Sequence, residues 1–340
     1  MLTTVRKQAP TKRHRKHRRP SPLQEVEAIV RWYLANAYTR SEGPGTLPFY
    51  ADTTRVGRFA VGVEAIAARD PEALFRLLIL LASYQSRRDV DIMAIQRKMP
   101  ARSVLALSSP RRLRILLDSA PCPHLRSASE FDERCDVRRD PRRKYASCMS
   151  RPRTPCHVKD ATMAIGRMGD MGKMSTSAWL HLGANGLERW FDETCEASAD
   201  PRTRAAELVR RISTLYRIGQ KLASMFVSAL SVVELSGLAP WWPEIDGSET
   251  LVIDGNVARA IQTWRPEGVR TYAALATWLI GIGRQIDLSQ YQRTLPRHSP
   301  RLVQQAIYVF RSRSNRTALG DPCETSRCAS CPSIVCPFRT

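Results

Sequence analysis

The strongest hydrophobic pattern in the chain covers residues 72–85, where Leu74, Phe75, Leu77, Leu78, Ile79, Leu80 and Leu81 leave almost no polar face. A helix with that pattern must be central to a core, and Asp70-Pro71 supplies its start. An earlier helix opens at Ser21-Pro22-Leu23-Gln24, where Ser caps, Pro fits the first turn and Gln completes a capping box. Val26, Ile29, Val30, Tyr33, Leu34 and Ala37 then keep one helical face apolar. Residues 42–54 are rich in Gly, Pro and Thr and read as a loop, with a further helix near Arg58. From 100 to 200 the pattern fades, apart from a short helix over 186–197 with Leu187, Trp190 and Phe191 inward.

The second half is clearer. Asp200-Pro201 starts a helix that places Leu208, Ile212 and Leu215 at helical spacing. The next helix buries Leu222, Phe226, Ala229, Leu230 and Val233 and is expected to run to Gly237. Trp241-Trp242-Pro243 falls in a loop, Asp254 begins another helix, 271–279 forms a further one, and Ser299-Pro300 caps 301–311. Alternating strand patterns are scarce, so the expected fold class is all-α.

Charge changes the picture next. The 340 residues hold 53 Lys and Arg against 32 Asp and Glu, a net charge of +21. Such an excess points to a polyanionic partner, nucleic acid first and an anionic membrane surface second, because phosphates reward each neutralised charge with counterion release. Residues 1–20 carry eight Lys or Arg and no acid, and are expected to form a flexible basic arm that raises DNA affinity. No run approaches the roughly 20 apolar residues that span a bilayer, and the N-terminus lacks the apolar segment of a secretory signal. A cytoplasmic, nucleoid-associated location is expected.

Two groups of residues carry candidate chemistry. In Thr214-Leu215-Tyr216-Arg217-Ile218-Gly219-Gln220-Lys221, the two helices are expected to be joined by only two or three residues, with Gly219 free to take a positive φ. The N–H groups opening the second helix then form an anion site for a DNA phosphate, with Arg217, Gly219 and Gln220 as contacts. Gly281-Ile282-Gly283-Arg284 has a similar form, but residues 285–289 do not continue as an amphipathic helix. Lys221 lies in the first turn of the second helix, where the helix N-terminus and partial burial both favour the neutral amine a nucleophile must be. Asp254 reads as the cap of the helix that follows it, a role compatible with catalysis if that helix start faces a cleft.

The second group is the cysteines. Nine thiols without a secretion signal argue against a disulfide framework. Four form Cys323-x4-Cys328-x2-Cys331-x4-Cys336, a metal-binding cluster by density. Zinc sites favour two close pairs and only Cys328 and Cys331 make one, whereas an iron–sulfur cluster accepts four thiolates at uneven spacing; both remain open on spacing. Cys122, Cys135, Cys148 and Cys156 have long spacings without a Cys-x2-Cys pair, and are read as free thiols in a basic insertion.

The hairpin with Lys221, the run Ile253-Asp254-Gly255-Asn256-Val257-Ala258-Arg259 and the C-terminal four-cysteine cluster, in that order, resemble the helix-hairpin-helix DNA glycosylases of the endonuclease III superfamily. The stretch 77–89 also looks like that family's buried helix ending in a Gln that reaches into DNA. The resemblance covers roughly 70–98 and 200–340. It implies a two-lobed all-α glycosylase fold, Lys221 as Schiff-base nucleophile, Asp254 as the assisting carboxylate, Gln85 as a DNA-intercalating residue, and a structural [4Fe–4S] cluster on Cys323, Cys328, Cys331 and Cys336, with structural zinc as the alternative.

The chain departs from the family pattern at Leu215-Tyr216-Arg217, which loses a glycine and adds a cation. The separation of Lys221 from Asp254 is long and includes a second Asp-Gly at Asp246-Gly247. No acid occupies 74–84, where the adenine-specific branch keeps its general acid. The implied organisation is an arm over 1–20, N-terminal helices over 21–70 packing on the C-terminal lobe, and a helical barrel lobe over 71–240. That barrel lobe contains an irregular insertion at about 100–200 and the helix-hairpin-helix at 205–235, and the C-terminal lobe covers 241–340. The implied activity is base excision with an associated abasic-site lyase step on double-stranded DNA, by a monomer. The competing reading is a non-catalytic helix-hairpin-helix DNA-binding protein with a structural metal centre.

Overall fold

The computed structural model describes residues 20–42, 45–85, 87–119, 122–135, 156, 158, 171–268, 270–320 and 333–338. Among them the chain is all-helical, with no strand. Helix α1 (Pro22–Tyr33) begins with the capping box of Ser21 and Gln24 and buries Val26, Ile29, Val30 and Tyr33. The chain continues as a wider π-type winding over Leu34–Glu42. Short helices α2 (Thr53–Val56) and α3 (Val63–Ala67) lead to α4 (Pro71–Ala82), whose first N–H groups are capped by Asp70.

Helix α4 buries nine of its residues, as its unbroken apolar sequence requires. It stops at Ala82 rather than Gln85, because Ser83 Oγ bonds back to Leu80 O and Tyr84 N–H turns to Leu81 O. Gln85 is therefore the first half-buried position beyond the helix end.

Residues 100–200 are more regular than expected. After α5 (Asp89–Lys98), helices α6 (Ala101–Ser108), α7 (Pro110–Asp118), α8 (Ala128–Arg134), α9 (Met171–Leu182) and α10 (Gly186–Ala197) occupy most of the described part of this stretch. Ser109 alone separates α6 from α7 and caps the latter through Arg112 N–H. Helix α9 buries Gly172, Ser175, Thr176 and Ser177 beside its methionines, a composition without an aliphatic stripe to betray it.

The remaining helices are α11 (Pro201–Ile212), α12 (Gln220–Ser231), α13 (Gly255–Trp264), α14 (Tyr272–Gly283), α15 (Pro300–Arg311) and α16 (Arg313–Ala318). Helix α12 ends at Ser231, short of Gly237, and Trp241 N–H takes the carbonyl of Leu230. Gly247 then packs where a Cβ would lie 2.2 Å from Ser231 Oγ, so the Asp246-Gly247 pair is a packing turn. Its Asp246 is held by Arg202 at 3.0 Å and by Ser248 N–H at 2.9 Å. Gly281 and Gly283 both lie within α14, and Gly283 is a packing glycine, since a Cβ there would stand 2.7 Å from Pro300 Cα.

Two cores result. One gathers side chains between Tyr50 and Leu113 with others from Met171 to Ile245. The second joins Val26 through Tyr38 to residues from Leu251 onward, including α13, α14 and α15. The chain thus crosses between cores after Tyr38, and the segment from Tyr50 to Ile66 packs with the first core rather than with α1. A seam of small residues on α12 meets the second core: Ser224, Ser228 and Ser231 are buried, and Arg301 Nε donates to Ser228 Oγ at 3.2 Å. Burying 26–38 beside 251–336 gives the N-terminal helix its place on the C-terminal half.

Candidate functional site

Between the two cores lies a cleft of about 210 Å³ that brings Lys221 and Asp254 together. Lys221 is the second residue of α12, and its half-buried side chain crosses to the end of α4, where Nζ donates to Tyr84 O at 2.7 Å. Desolvation pushes its pKa below the ordinary lysine value, against the opposing pull of Asp254 and Asp89. Asp254 caps α13, its Oδ1 accepting from Asn256 N–H at 2.9 Å and Val257 N–H at 2.8 Å. Burial raises its pKa, and the two N–H donors and Lys221 work the other way. The site thus holds an amine biased toward neutrality next to a carboxylate fixed in place by its own helix.

The hairpin that positions Lys221 differs from expectation. Residues 213–219, not two or three, join α11 to α12, and the buried side chains of Leu215 and Ile218 plug the turn into the first core. The positive φ falls on Arg217, at 62°, while Gly219 is extended at φ −79° and ψ 177°. Arg217 therefore stands in the left-handed conformation that glycine tolerates best, and its retention there costs about 1–2 kcal/mol. Gly219, the N-cap, would meet nothing within 4 Å if it carried a Cβ. Neither backbone angle nor internal crowding demands glycine at 219, which serves as the N-cap of α12.

Tyr216 ties this turn to the region between 100 and 200. The buried Lys173 of α9 sits 4.1 Å from the centroid of the Tyr216 ring and donates to Asp132 O of α8 at 2.7 Å. Arg217 lies on the same ring at 5.9 Å. Gln220 is exposed at the start of α12. Gln85 is turned back on its own helix end, its amide donating to Ala82 O at 2.6 Å and to Met174 Sδ at 3.6 Å. Among the described residues, Gln85, Arg217, Gly219 and Gln220 lie outside the lining of the cleft that holds Lys221 and Asp254.

Sequence reasoning missed several residues that line this cleft. Asp89, the first residue of α5, acts electrostatically on both Lys221 and Asp254, and accepts a hydrogen bond from Tyr308 on α15 in the opposite core. Phe49, Met93 and Met225 form an apolar wall. Arg55 lies 5.8 Å from the Phe49 centroid, and Phe49 meets Tyr84 edge to face. Gln304 is buried with its Oε1 accepting from Val252 N–H at 3.1 Å, so it fixes the extended approach to Asp254. A polar loop at 42–54 and an acid in a mixed-charge segment give no periodic signal, and Tyr308 reads in sequence as one more residue of a helix.

Of the expected metal ligands, Cys323, Cys328 and Cys331 lie outside the described residues, as does Cys148 of the other four thiols. Cys336 is buried, and its sulfur accepts from Arg316 Nη1 at 3.6 Å. The segment carrying it is clamped to α1, because buried Glu25 accepts from Ile334 N–H at 2.7 Å and from Trp264 Nε1 at 2.9 Å. Among the described residues no three His, Cys, Asp or Glu side chains gather as a metal site. No described helix is long and apolar enough to cross a membrane.

No protein-family model, no curated protein and no solved structure matches the chain.

Proposed function

We propose that the protein is a base-excision DNA glycosylase with an associated abasic-site lyase step, built as a two-lobed helix-hairpin-helix glycosylase. The observation that carries this reading is the meeting of Lys221 and Asp254 in one desolvated cleft between two helical cores, although 33 residues separate them. An amine whose pKa is lowered by burial is a nucleophile, and a carboxylate beside it can stabilise the positive charge that develops on a sugar losing its base. The net charge of +21 supplies affinity for a phosphate backbone.

The reaction follows from these parts. Double-stranded DNA lies across the cleft with the turn 213–219 and the start of α12 against phosphates, and the damaged nucleotide leaves the stack to reach the site. Lys221 Nζ attacks the anomeric carbon as the bond to the base breaks, the electron pair departing with the base. Loss of a proton and ring opening convert the adduct to an imine. Elimination from that imine removes the 3′ phosphate and nicks the strand. The Asp254 carboxylate sits beside the sugar and stabilises the positive charge that develops there. Cys323, Cys328, Cys331 and Cys336 would hold a [4Fe–4S] cluster of structural role, with zinc as the alternative, and a DNA substrate implies a cytoplasmic, nucleoid-associated monomer.

Borohydride trapping tests the assignment. The wild-type protein, incubated with a duplex bearing a single abasic site, is expected to give a covalent adduct mapped to Lys221. Lys221→Ala abolishes it; an undiminished adduct in that variant overturns the role of Lys221.

A further inference from the structure

Asp89 and Tyr308 form a contact that the chemistry assigned to Lys221 and Asp254 does not use. They come from opposite cores, 219 residues apart, and meet inside the cleft. Asp89 opens α5, where the helix N-terminus favours a negative charge, and the preceding Arg88 makes no side-chain cap. Asp254 commits its carboxylate to the backbone of its own helix, whereas the Asp89 carboxylate accepts from the Tyr308 hydroxyl.

We propose that Asp89, oriented by Tyr308, is the proton carrier of the site, accepting the proton that Lys221 Nζ sheds when it bonds to carbon and returning it to the departing oxygen. The assignment rests on the reading of Lys221 as an amine nucleophile. With an abasic sugar the balance is complete. The Nζ lone pair forms a bond to C1′ of the aldehyde while the carbonyl π pair moves to oxygen. The ammonium proton passes to the Asp89 carboxylate and from it to the alkoxide, giving the carbinolamine; the remaining N–H proton follows the same route to the hydroxyl, which leaves as water as the nitrogen lone pair forms the C=N bond of a neutral imine. Asp254 is less free to carry that proton, because its Oδ1 is already engaged by two backbone N–H groups at the start of its own helix.

The surroundings of Asp89 set its behaviour. Burial raises its pKa, and the hydrogen bond from Tyr308 and the charges of Lys221 and Arg55 lower it. Tyr84 at the end of α4 and Asp254 on α13 also act electrostatically on this cluster, and Tyr272 and Arg311 interact in turn with Asp254.

The experiment measures the single-turnover rate of borohydride-trapped adduct formation with a duplex containing one abasic site, as a function of pH, together with affinity for that duplex. Asp89→Asn is expected to slow the maximal rate on the order of 100-fold, with affinity changed less than about threefold. Because an ionised Asp89 holds a proton on Lys221, the limb governed by Lys221 moves to lower pH in this variant. Tyr308→Phe removes a donor that stabilises the Asp89 carboxylate, so the limb governed by Asp89 moves to higher pH. These opposite displacements are not produced by loosened packing. Rates within about threefold of wild type in both variants, or identical pH profiles, overturn the assignment. Absence of any adduct from wild-type protein overturns the Lys221 reading and this one with it, an outcome distinguishable from the first.

Discussion

Two helices begin at the cleft with an aspartate, and the two carboxylates are placed for different work. Asp254 precedes α13 and spends one oxygen on the N–H groups of Asn256 and Val257. Asp89 is already inside α5 and turns away from its helix to Tyr308 of the other core. Both are buried enough for desolvation to raise their pKa, so burial does not distinguish them. What distinguishes them is hydrogen bonding: the first is anchored to the backbone of its own helix, the second to a side chain that reaches across the cleft. On the proposed reading, the first stabilises charge and the second carries a proton for the amine of Lys221.

The contrast is broken most sharply by Asp254→Asn. Asparagine caps a helix about as well as aspartate, so the substitution keeps both N–H bonds and removes only the charge. Adduct formation with an abasic duplex is expected to fall on the order of 100-fold while thermal stability stays within about 0.5 kcal/mol of wild type. Loss of the negative charge also lets the Lys221 pKa fall, since Asp254 helps to hold it up, so the Lys221 limb of the pH profile moves to lower pH. A rate equal to wild type would reduce Asp254 to a cap.

Asp254→Ala sharpens the same comparison on the stability side. It removes the cap as well as the charge and is expected to cost about 1 kcal/mol more than Asp254→Asn in chemical denaturation. Asp89→Asn should cost less than about half of that, because it removes no cap hydrogen bond and loses only the charge in the first turn of α5. Equal losses at the two positions would mean that Asp89 also secures its helix.

How much of the site is legible in the sequence follows from where each partner sits in the chain. Asp254 can be read as a helix start because its donors lie two and three residues away. Lys221 can be placed in a first turn because Gly219 and the apolar stripe from Leu222 to Leu230 mark α12. Asp89 cannot be assigned in this way, since what selects it is Tyr308, far along the chain and hidden in an ordinary amphipathic helix. Helix α9 is illegible for another reason: it is buried by serine, threonine and glycine, so the aliphatic period that announces a helix is missing. The turn between α11 and α12 is longer than its sequence suggests because Leu215 and Ile218 have the spacing of a helix face, and in the fold they anchor the loop.

Gly219 offers the finest test of that turn. Gly283 is explained from within, by the Pro300 backbone 2.7 Å from where its Cβ would lie, and Gly219 has no such neighbour and an ordinary backbone. Serine at 219 would fit the extended backbone and could cap α12, so Gly219→Ser is expected to change stability by less than about 0.5 kcal/mol, or to raise it. If the glycine is there to let a phosphate approach the N–H groups of the helix, the same variant weakens binding to duplex DNA, and the loss appears at every sequence because phosphate contacts carry no base information. Unchanged stability with unchanged affinity would remove the turn from the DNA surface and leave Lys221 positioned by α12 alone.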